Sequence, residues 1–238
     1  MPSFDVLRFC NLLKDRTLLF LGDSTSQQAA VALINTVHFE FLLANRELIP
    51  AGVTDCSPSI HYALADTLVK APIGMNRGRH WVEYATLLRS DVVILSAGPH
   101  IPDMSDFMRI VHQVVSEHSL LVPFTKLVWR SQFPGGCGPS PLSVTPDATY
   151  WKHYNASPIY NYHEAPERDR FARVLFDNIS AGRAFLDLSP LLLRPDGHVG
   201  SWEGSVHKGD CLHMCLPGAL FPLLGQSVLR ILEEVLAQ

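Results

Sequence analysis

Residues 17–24 read Thr17-Leu-Leu-Phe-Leu-Gly-Asp-Ser24. The apolar run from Thr17 to Leu21 predicts a buried strand. Residues 24–35 then carry Ala, Val and Leu at helical spacing, which predicts a helix that begins at Ser24. Gly22-Asp23-Ser24 is therefore expected to form a turn between a buried strand and a helix.

The alternation of strands and helices continues along the chain. Further strands are predicted at 91–97, 126–129 and 184–188, and further helices at 105–119, 165–180 and 217–236. Ser105 is the predicted N-cap of the second helix. Residues 40–85 carry no pattern that assigns an element. This alternation predicts a three-layer α/β/α sandwich with a central parallel sheet, and residues 1–238 contain no linker or repeat that would divide them into two domains.

Composition excludes several classes of protein. The hydrophobic fraction is 47% and the charged fraction 18%, which is typical of a packed globular protein and not of a disordered one. The net charge is −4 and no basic run is present, so we expect no nucleic-acid partner. No run approaches the roughly 18 apolar residues of a membrane helix, and the first residues do not resemble a signal peptide. An upstream targeting segment outside this sequence remains an open alternative.

The cysteines leave two interpretations open. The chain has five of them, Cys10, Cys56, Cys137, Cys211 and Cys215. An odd number scattered over this length does not indicate a disulfide scaffold. They are either buried or free thiols, or they form one or two disulfides in an oxidising compartment.

Three polar turns follow predicted strands at the same end of the predicted sheet. They are Gly22-Asp23-Ser24, Gly98-Pro99-His100 and Arg130-Ser131. Parallel sheets place their sites beyond the carboxyl ends of the strands, so these turns are expected to meet in one crevice. Ser24 would lie at the first turn of a helix, where its hydroxyl is the candidate nucleophile. The backbone N–H groups of Ser24 and Gly98 are the candidate oxyanion donors.

A serine hydroxyl needs an adjacent base that a third group orients. Asp210-Cys-Leu-His213 precedes the last predicted helix, and its spacing lets the carboxylate reach Nδ1 of the imidazole. Nε2 of His213 would then face Ser24. The pattern Gly-x-Ser-x-Gly is absent because residue 26 is Ser, so the α/β-hydrolase elbow does not fit.

Gly22-Asp23-Ser24 together with Asp210-Cys-Leu-His-Met-Cys-Leu-Pro-Gly218 resembles the PC-esterase group. This group includes the plant trichome-birefringence-like polysaccharide O-acetyltransferases and the sialic-acid O-acetyltransferase domain. Residues 91–98, 129–131 and 193–198 are similar to further blocks of the family. The resemblance implies an SGNH-hydrolase-like fold, with Ser24 as nucleophile, His213 as base and Asp210 as its orienting carboxylate. Substrate-binding roles are expected for Asp23, Arg130, Asp196 and His198.

By this resemblance the chain would be an O-acetyltransferase that acts on sugar hydroxyls of a glycan through an acyl-serine intermediate. No metal or other cofactor is required, and acetyl-CoA or another acetyl donor would be a substrate. The family also suggests the Golgi or the secretory pathway. This chain has Met214 where plant members have Trp, and Pro99-His100-Ile101 replaces an aromatic pair. The Asn of ordinary SGNH hydrolases has no counterpart in the third block, where Arg130 occupies the neighbourhood.

Other readings stay open at this point. An esterase would share every step up to the acyl-serine and then release the acyl group to water. A non-catalytic glycan-binding domain could keep the same fold. Arg130 could instead pair with a structural Asp, and Asp196 and His198 could form an ordinary surface turn. A zinc site is a further alternative, with candidate ligands His207, Cys211, His213 and Cys215.

Overall fold

The central element of the chain is a five-stranded, fully parallel sheet. The computed structural model describes residues 4–44, 49–69, 78–121, 125–132, 161, 164–188, 213 and 221–237. The strands are β1 (Leu18–Gly22), β2 (Ile60–Leu64), β3 (Val92–Leu95), β4 (Lys126–Arg130) and β5 (Arg183–Leu186). Their spatial order is β2-β1-β3-β4-β5, a common order of doubly wound sheets. The order reverses between β1 and β3, which is where such sheets place their ligand crevice.

Helices flank this sheet. They are α1 (Val6–Leu12), α2 (Ser24–Leu43), α3 (Trp81–Leu87), α4 (Met104–Glu117), α5 (Ala165–Phe176) and α6 (Phe221–Leu236). Short 3₁₀ turns lie at Ser57–Ser59, His118–Leu120 and Ile179–Ala181. Among the residues that the structure describes, no helix is both long and apolar enough to cross a membrane.

Each face of the sheet carries its own apolar core. Side chains alternate along a strand, so Leu18 and Phe20 of β1 face one way while Leu19 and Leu21 face the other. The first face packs against α1, α2 and α6. The second packs against α3, α4 and α5. This arrangement confirms the predicted α/β class and parallel sheet, and it is consistent with a three-layer sandwich.

Most predicted elements are present with shifted ends. The helix after β1 extends to Leu43, beyond the predicted residue 35, and the helix predicted at 165–180 ends at Phe176. The predicted N-cap Ser105 is wrong, because the carboxylate of Asp103 accepts the hydrogen bond from Asp106 N, at 2.9 Å. The first four residues of the helix predicted at 217–236 lie outside the described residues, and so does the long Pro- and Gly-rich loop from residue 133 onward.

Cys10 of α1 and Cys56 form a disulfide between segments 46 residues apart. Both cysteines are buried, and Cys56 directly precedes the 3₁₀ turn that leads into β2. This pairing supports the disulfide alternative for these two residues. The other three cysteines lie outside the described residues.

Candidate functional site

The turn between β1 and α2 is shaped by Gly22 and Asp23. Gly22 has a φ of +151°, and a Cβ there would collide with the carbonyl oxygen of Ser96 on the neighbouring strand end. Only glycine combines this backbone conformation with that close approach. The next residue, Asp23, is the N-cap of α2, and its Oδ1 accepts from the backbone N–H of Thr25 at 2.8 Å. The turn therefore places Ser24 at the first position of α2.

The substrate-binding role predicted for Asp23 does not fit its position. Its side chain is completely buried, and Oδ1 also accepts a hydrogen bond from the Thr25 hydroxyl at 2.6 Å. A carboxylate held in this way caps the helix and cannot contact a ligand in an open crevice. Asp23 is a structural residue of the turn.

Ser24 contacts His213 directly. The distance between Ser24 Oγ and His213 Nε2 is 2.8 Å, although the two residues are 189 positions apart in the sequence. Both side chains are partly exposed, so a ligand can reach them. With the ring proton on Nδ1, Nε2 accepts the hydrogen bond from the serine hydroxyl. Asp210, the predicted orienting carboxylate, lies outside the described residues and remains a prediction.

Ser24 and Gly98, the two predicted oxyanion donors, lie on neighbouring strand ends. Leu21 of β1 pairs with Leu95 of β3, and Ser24 and Gly98 each follow three positions later. Neither N–H has a hydrogen-bond acceptor among the described residues. Both groups therefore stay candidate oxyanion donors. The N–H of Ser24 also lies at the positive end of the α2 dipole.

An arginine on α5 binds the segment that follows β3. The sequence analysis did not identify this residue. Arg168 is completely buried, and its guanidinium donates to the carbonyl oxygens of Gly98 at 2.8 Å and Ile101 at 3.0 Å. Glu164 supplies the countercharge, with 2.5 Å between its Oε2 and Nη2 of Arg168. Arg168 therefore fixes the peptide unit that follows Gly98. Nothing in the local pattern of residues 165–176 marks one arginine of this helix as buried.

Arg130 lies beneath the nucleophile turn. Its exposed fraction is 0%, and its Nη2 donates to the hydroxyls of Thr25 at 2.9 Å and Ser26 at 3.1 Å. Burial lowers the pKa of Arg130 to about 10, although the charges of Asp23 and Asp169 raise it. The group is therefore still a cation at neutral pH. The predicted substrate-binding role of Arg130 is corrected to the alternative of a structural residue near a buried Asp.

Asp169 of α5 stabilises the end of β4. Its Oδ1 accepts from the backbone N–H of Gln132 at 3.1 Å. Burial raises the pKa of Asp169 to about 7, and the neighbouring Asp187 adds to that rise. The Gln132 hydrogen bond and the charge of Arg130 act in the opposite direction. This carboxyl group therefore changes its charge in the neutral pH range.

Several predicted site residues fall in segments outside the described part of the chain. Asp196, His198 and three of the four candidate zinc ligands (His207, Cys211 and Cys215) lie outside the described residues. Within the described part of the chain, no group of three or more His, Cys, Asp or Glu side chains could hold a metal ion.

Comparison with known proteins adds no relative. No protein-family model matches the chain, and no curated protein matches its sequence. The PC-esterase resemblance therefore stays a prediction, and the geometry around Ser24 is the main observation that bears on function.

Thr25→Val is expected to weaken the turn. Valine keeps the shape of threonine but removes the hydroxyl that donates to Asp23 and accepts from Arg130. Because both partners are charged and buried, the free energy of unfolding should fall by about 1.5–3 kcal/mol. Thr86→Val, at an exposed position of α3, is the matched control and should change stability far less. Equal effects of the two variants in urea unfolding would contradict the proposed role of the Thr25 hydroxyl.

Asp169→Asn is expected to change how stability depends on pH. The folded protein holds the Asp169 proton up to about pH 7, whereas the unfolded chain loses it near the ordinary value of 3.8. Wild-type stability relative to the Asn variant should therefore fall as the pH rises from 4 to about 7, and then level off. Denaturant unfolding over this pH range measures the difference. Asp177→Asn, at an exposed position after the same helix, is the control. A constant difference between wild type and Asp169→Asn would refute the raised pKa.

Proposed function

We propose that the chain is a serine-dependent acyl-transfer enzyme of the SGNH type. The 2.8 Å contact between Ser24 Oγ and His213 Nε2 is the observation that carries the proposal. A hydroxyl at a helix start that contacts an imidazole is what nucleophilic catalysis requires. The N–H groups of Ser24 and Gly98, which follow neighbouring strand ends and have no acceptor within the described part of the chain, are the candidate oxyanion donors. The position of Ser24 after β1, where the strand order reverses, also supports this function.

The first half-reaction forms an acyl-serine. His213 Nε2 takes the proton of Ser24 Oγ, which attacks the carbonyl carbon of the acyl donor. The carbonyl oxygen becomes an oxyanion that the N–H groups of Ser24 and Gly98 can stabilise. The tetrahedral intermediate then collapses, the bond to the leaving group breaks, and the imidazolium gives its proton to that group. Asp210, by resemblance, would stabilise the imidazolium.

The second half-reaction passes the acyl group to an acceptor. The acceptor hydroxyl loses its proton to His213, its oxygen attacks the acyl carbonyl, and Ser24 leaves with the proton returned. We infer from the PC-esterase resemblance that the acyl group is acetyl and that the acceptor is a sugar hydroxyl of a glycan. Acetyl-CoA or another activated acetyl compound would serve as the donor.

Ser24→Ala and His213→Ala are expected to abolish labelling by a fluorophosphonate and turnover of an acetyl ester. Each variant removes one partner of the contact that activates the serine. Because both side chains are partly exposed, the free energy of unfolding should stay within about 1 kcal/mol of wild type.

Ser105→Ala, at an exposed serine in the first turn of α4, and His112→Ala, at an exposed histidine of the same helix, are the controls. Both should label and turn over like wild type. A wild-type protein that resists labelling while other serine esterases react would instead favour a glycan-binding domain without catalysis.

Transfer and hydrolysis are separated by adding acceptors to the acetylated protein. We expect intact-protein mass spectrometry to show an acetyl group on Ser24 that disappears faster when a suitable glycan is present, with acetyl appearing on the glycan. If the rate of acetate release is the same without a glycan and with each glycan tested, the chain is an esterase. Absence of the adduct on Ser24→Ala serves as the control for the site of acetylation.

A further inference from the structure

The turn between α5 and β5 carries a sequence motif that the proposed function does not use. Residues 178–180 of this turn read Asn-Ile-Ser. An Asn that is followed two positions later by Ser or Thr, with any residue except Pro between them, is the acceptor motif of N-linked glycosylation. The same pattern occurs at one other place, residues 155–157 (Asn-Ala-Ser), which lie outside the described residues.

The motif lies on the surface of the protein. Asn178 and Ser180 are both exposed, and Ile179 between them is half-buried. An N-linked glycan is bulky and hydrophilic, so only a surface residue can carry it in the folded protein. A glycan on Asn178 would therefore extend into solvent without displacing either apolar core.

The hydrogen bonds of the Asn178 side chain use its oxygen and leave its nitrogen available. Oδ1 accepts from the Ser180 hydroxyl at 2.9 Å and from the backbone N–H of Ala181 at 3.3 Å. Because a backbone N–H can only donate, the atom that faces Ala181 is the oxygen, and the orientation of the amide is fixed. Within the described part of the chain, Nδ2 makes no hydrogen bond. Capping of the 3₁₀ turn thus explains the oxygen of this side chain but gives the nitrogen no role.

The disulfide between Cys10 and Cys56 indicates the compartment independently of the motif. Disulfides form and persist in oxidising environments such as the lumen of the endoplasmic reticulum, and they are rare in the cytosol. N-linked oligosaccharides are added in that same lumen. A chain that acquires this disulfide there also presents residues 178–180 to the glycosylation machinery.

We propose that Asn178 is a site of N-linked glycosylation. The co-substrate is an oligosaccharide carried on a polyprenyl diphosphate, and a transferase of the secretory pathway catalyses the reaction. Nδ2 of Asn178 forms a bond to the anomeric carbon of the first sugar. The bond between that carbon and the diphosphate oxygen breaks, the amide gives up one proton, and the polyprenyl diphosphate leaves.

This site lies at the opposite end of the sheet from Ser24. Asn178 forms an antiparallel bridge with Arg183, the first residue of β5, whereas Ser24 follows the last strand residues of β1. All five strands are parallel, and a strand of four or five residues spans roughly 13–17 Å. The glycan is therefore attached away from the candidate site, and this inference does not rest on the proposed function.

The test is to map glycans on the full chain after secretory expression. The chain is produced with a cleavable signal peptide in cultured human cells, and the purified protein is treated with peptide N-glycosidase F in heavy-oxygen water. This enzyme converts a glycosylated Asn into Asp that carries the heavy isotope. We expect mass spectrometry of the peptides to find the isotope at position 178, and to find none there after mock treatment without the enzyme.

Variants of the motif separate modification from folding. Asn178→Asp keeps an oxygen that can accept from Ala181 but removes the acceptor nitrogen, so the glycan at this position should be lost while the turn is kept. Ser180→Ala keeps Asn178 but breaks the motif and should lose the glycan too, whereas Ser180→Thr should retain it. Asn35→Asp, at an exposed asparagine of α2 outside any such motif, is the matched control and should be glycosylated like wild type.

Two results would overturn the assignment of Asn178. One is wild-type protein recovered from the secretory pathway whose peptide around position 178 carries no isotope, even if a glycan is found at position 155. The other is an isotope at position 178 that persists in Ser180→Ala, because the change at Asn178 would then be independent of the motif. Neither result bears on the contact between Ser24 and His213, so the proposed function would stand or fall separately.

Discussion

In-register parallel pairing of β1, β3 and β4 is the constraint on which the candidate site depends. It brings the ends of three strands to one level, so that short turns after each strand lie side by side. Ser24 and Gly98 come from distant parts of the sequence, and no local interaction could assemble them. A shift of β3 by one residue would also reverse which side chains face each core. The two apolar cores therefore secure the register, and the register positions the site.

A second layer, made of buried charges, stabilises the turns that the sheet has aligned. Asp23, Arg130 and Asp169 lie beneath or beside the turns, and Arg168 fixes the segment after β3. Burying these charges costs free energy, which the hydrogen bonds between them and the backbone offset in part. These side chains position backbone groups of the turns and do not contact a ligand themselves. A rigid arrangement of this kind is what electrostatic catalysis requires, because donors must be in place before charge develops.

Sequence patterns predicted the parts of the fold that bury continuous apolar runs. β1, β3, β4 and β5 were found because both of their faces are covered. The edge strand β2 was missed, since Ile60 alone is fully buried and the next four residues are half-exposed. In the site, the contact between Ser24 and His213 was predicted correctly. The burial of Asp23 and Arg130 was not predicted. The sequence pattern of a charged residue at the end of a strand is the same whether its side chain faces solvent or is buried under the turn.

The separation of Ser24 and His213 has a consequence for biosynthesis. Chains emerge from the ribosome from the amino terminus, and domains fold as their segments become available. A growing polypeptide that has completed all five strands carries the serine and its helix but still lacks the imidazole, which follows β5. Under the proposed function, the serine therefore becomes reactive only after translation has passed residue 213, when the five described strands have already been made.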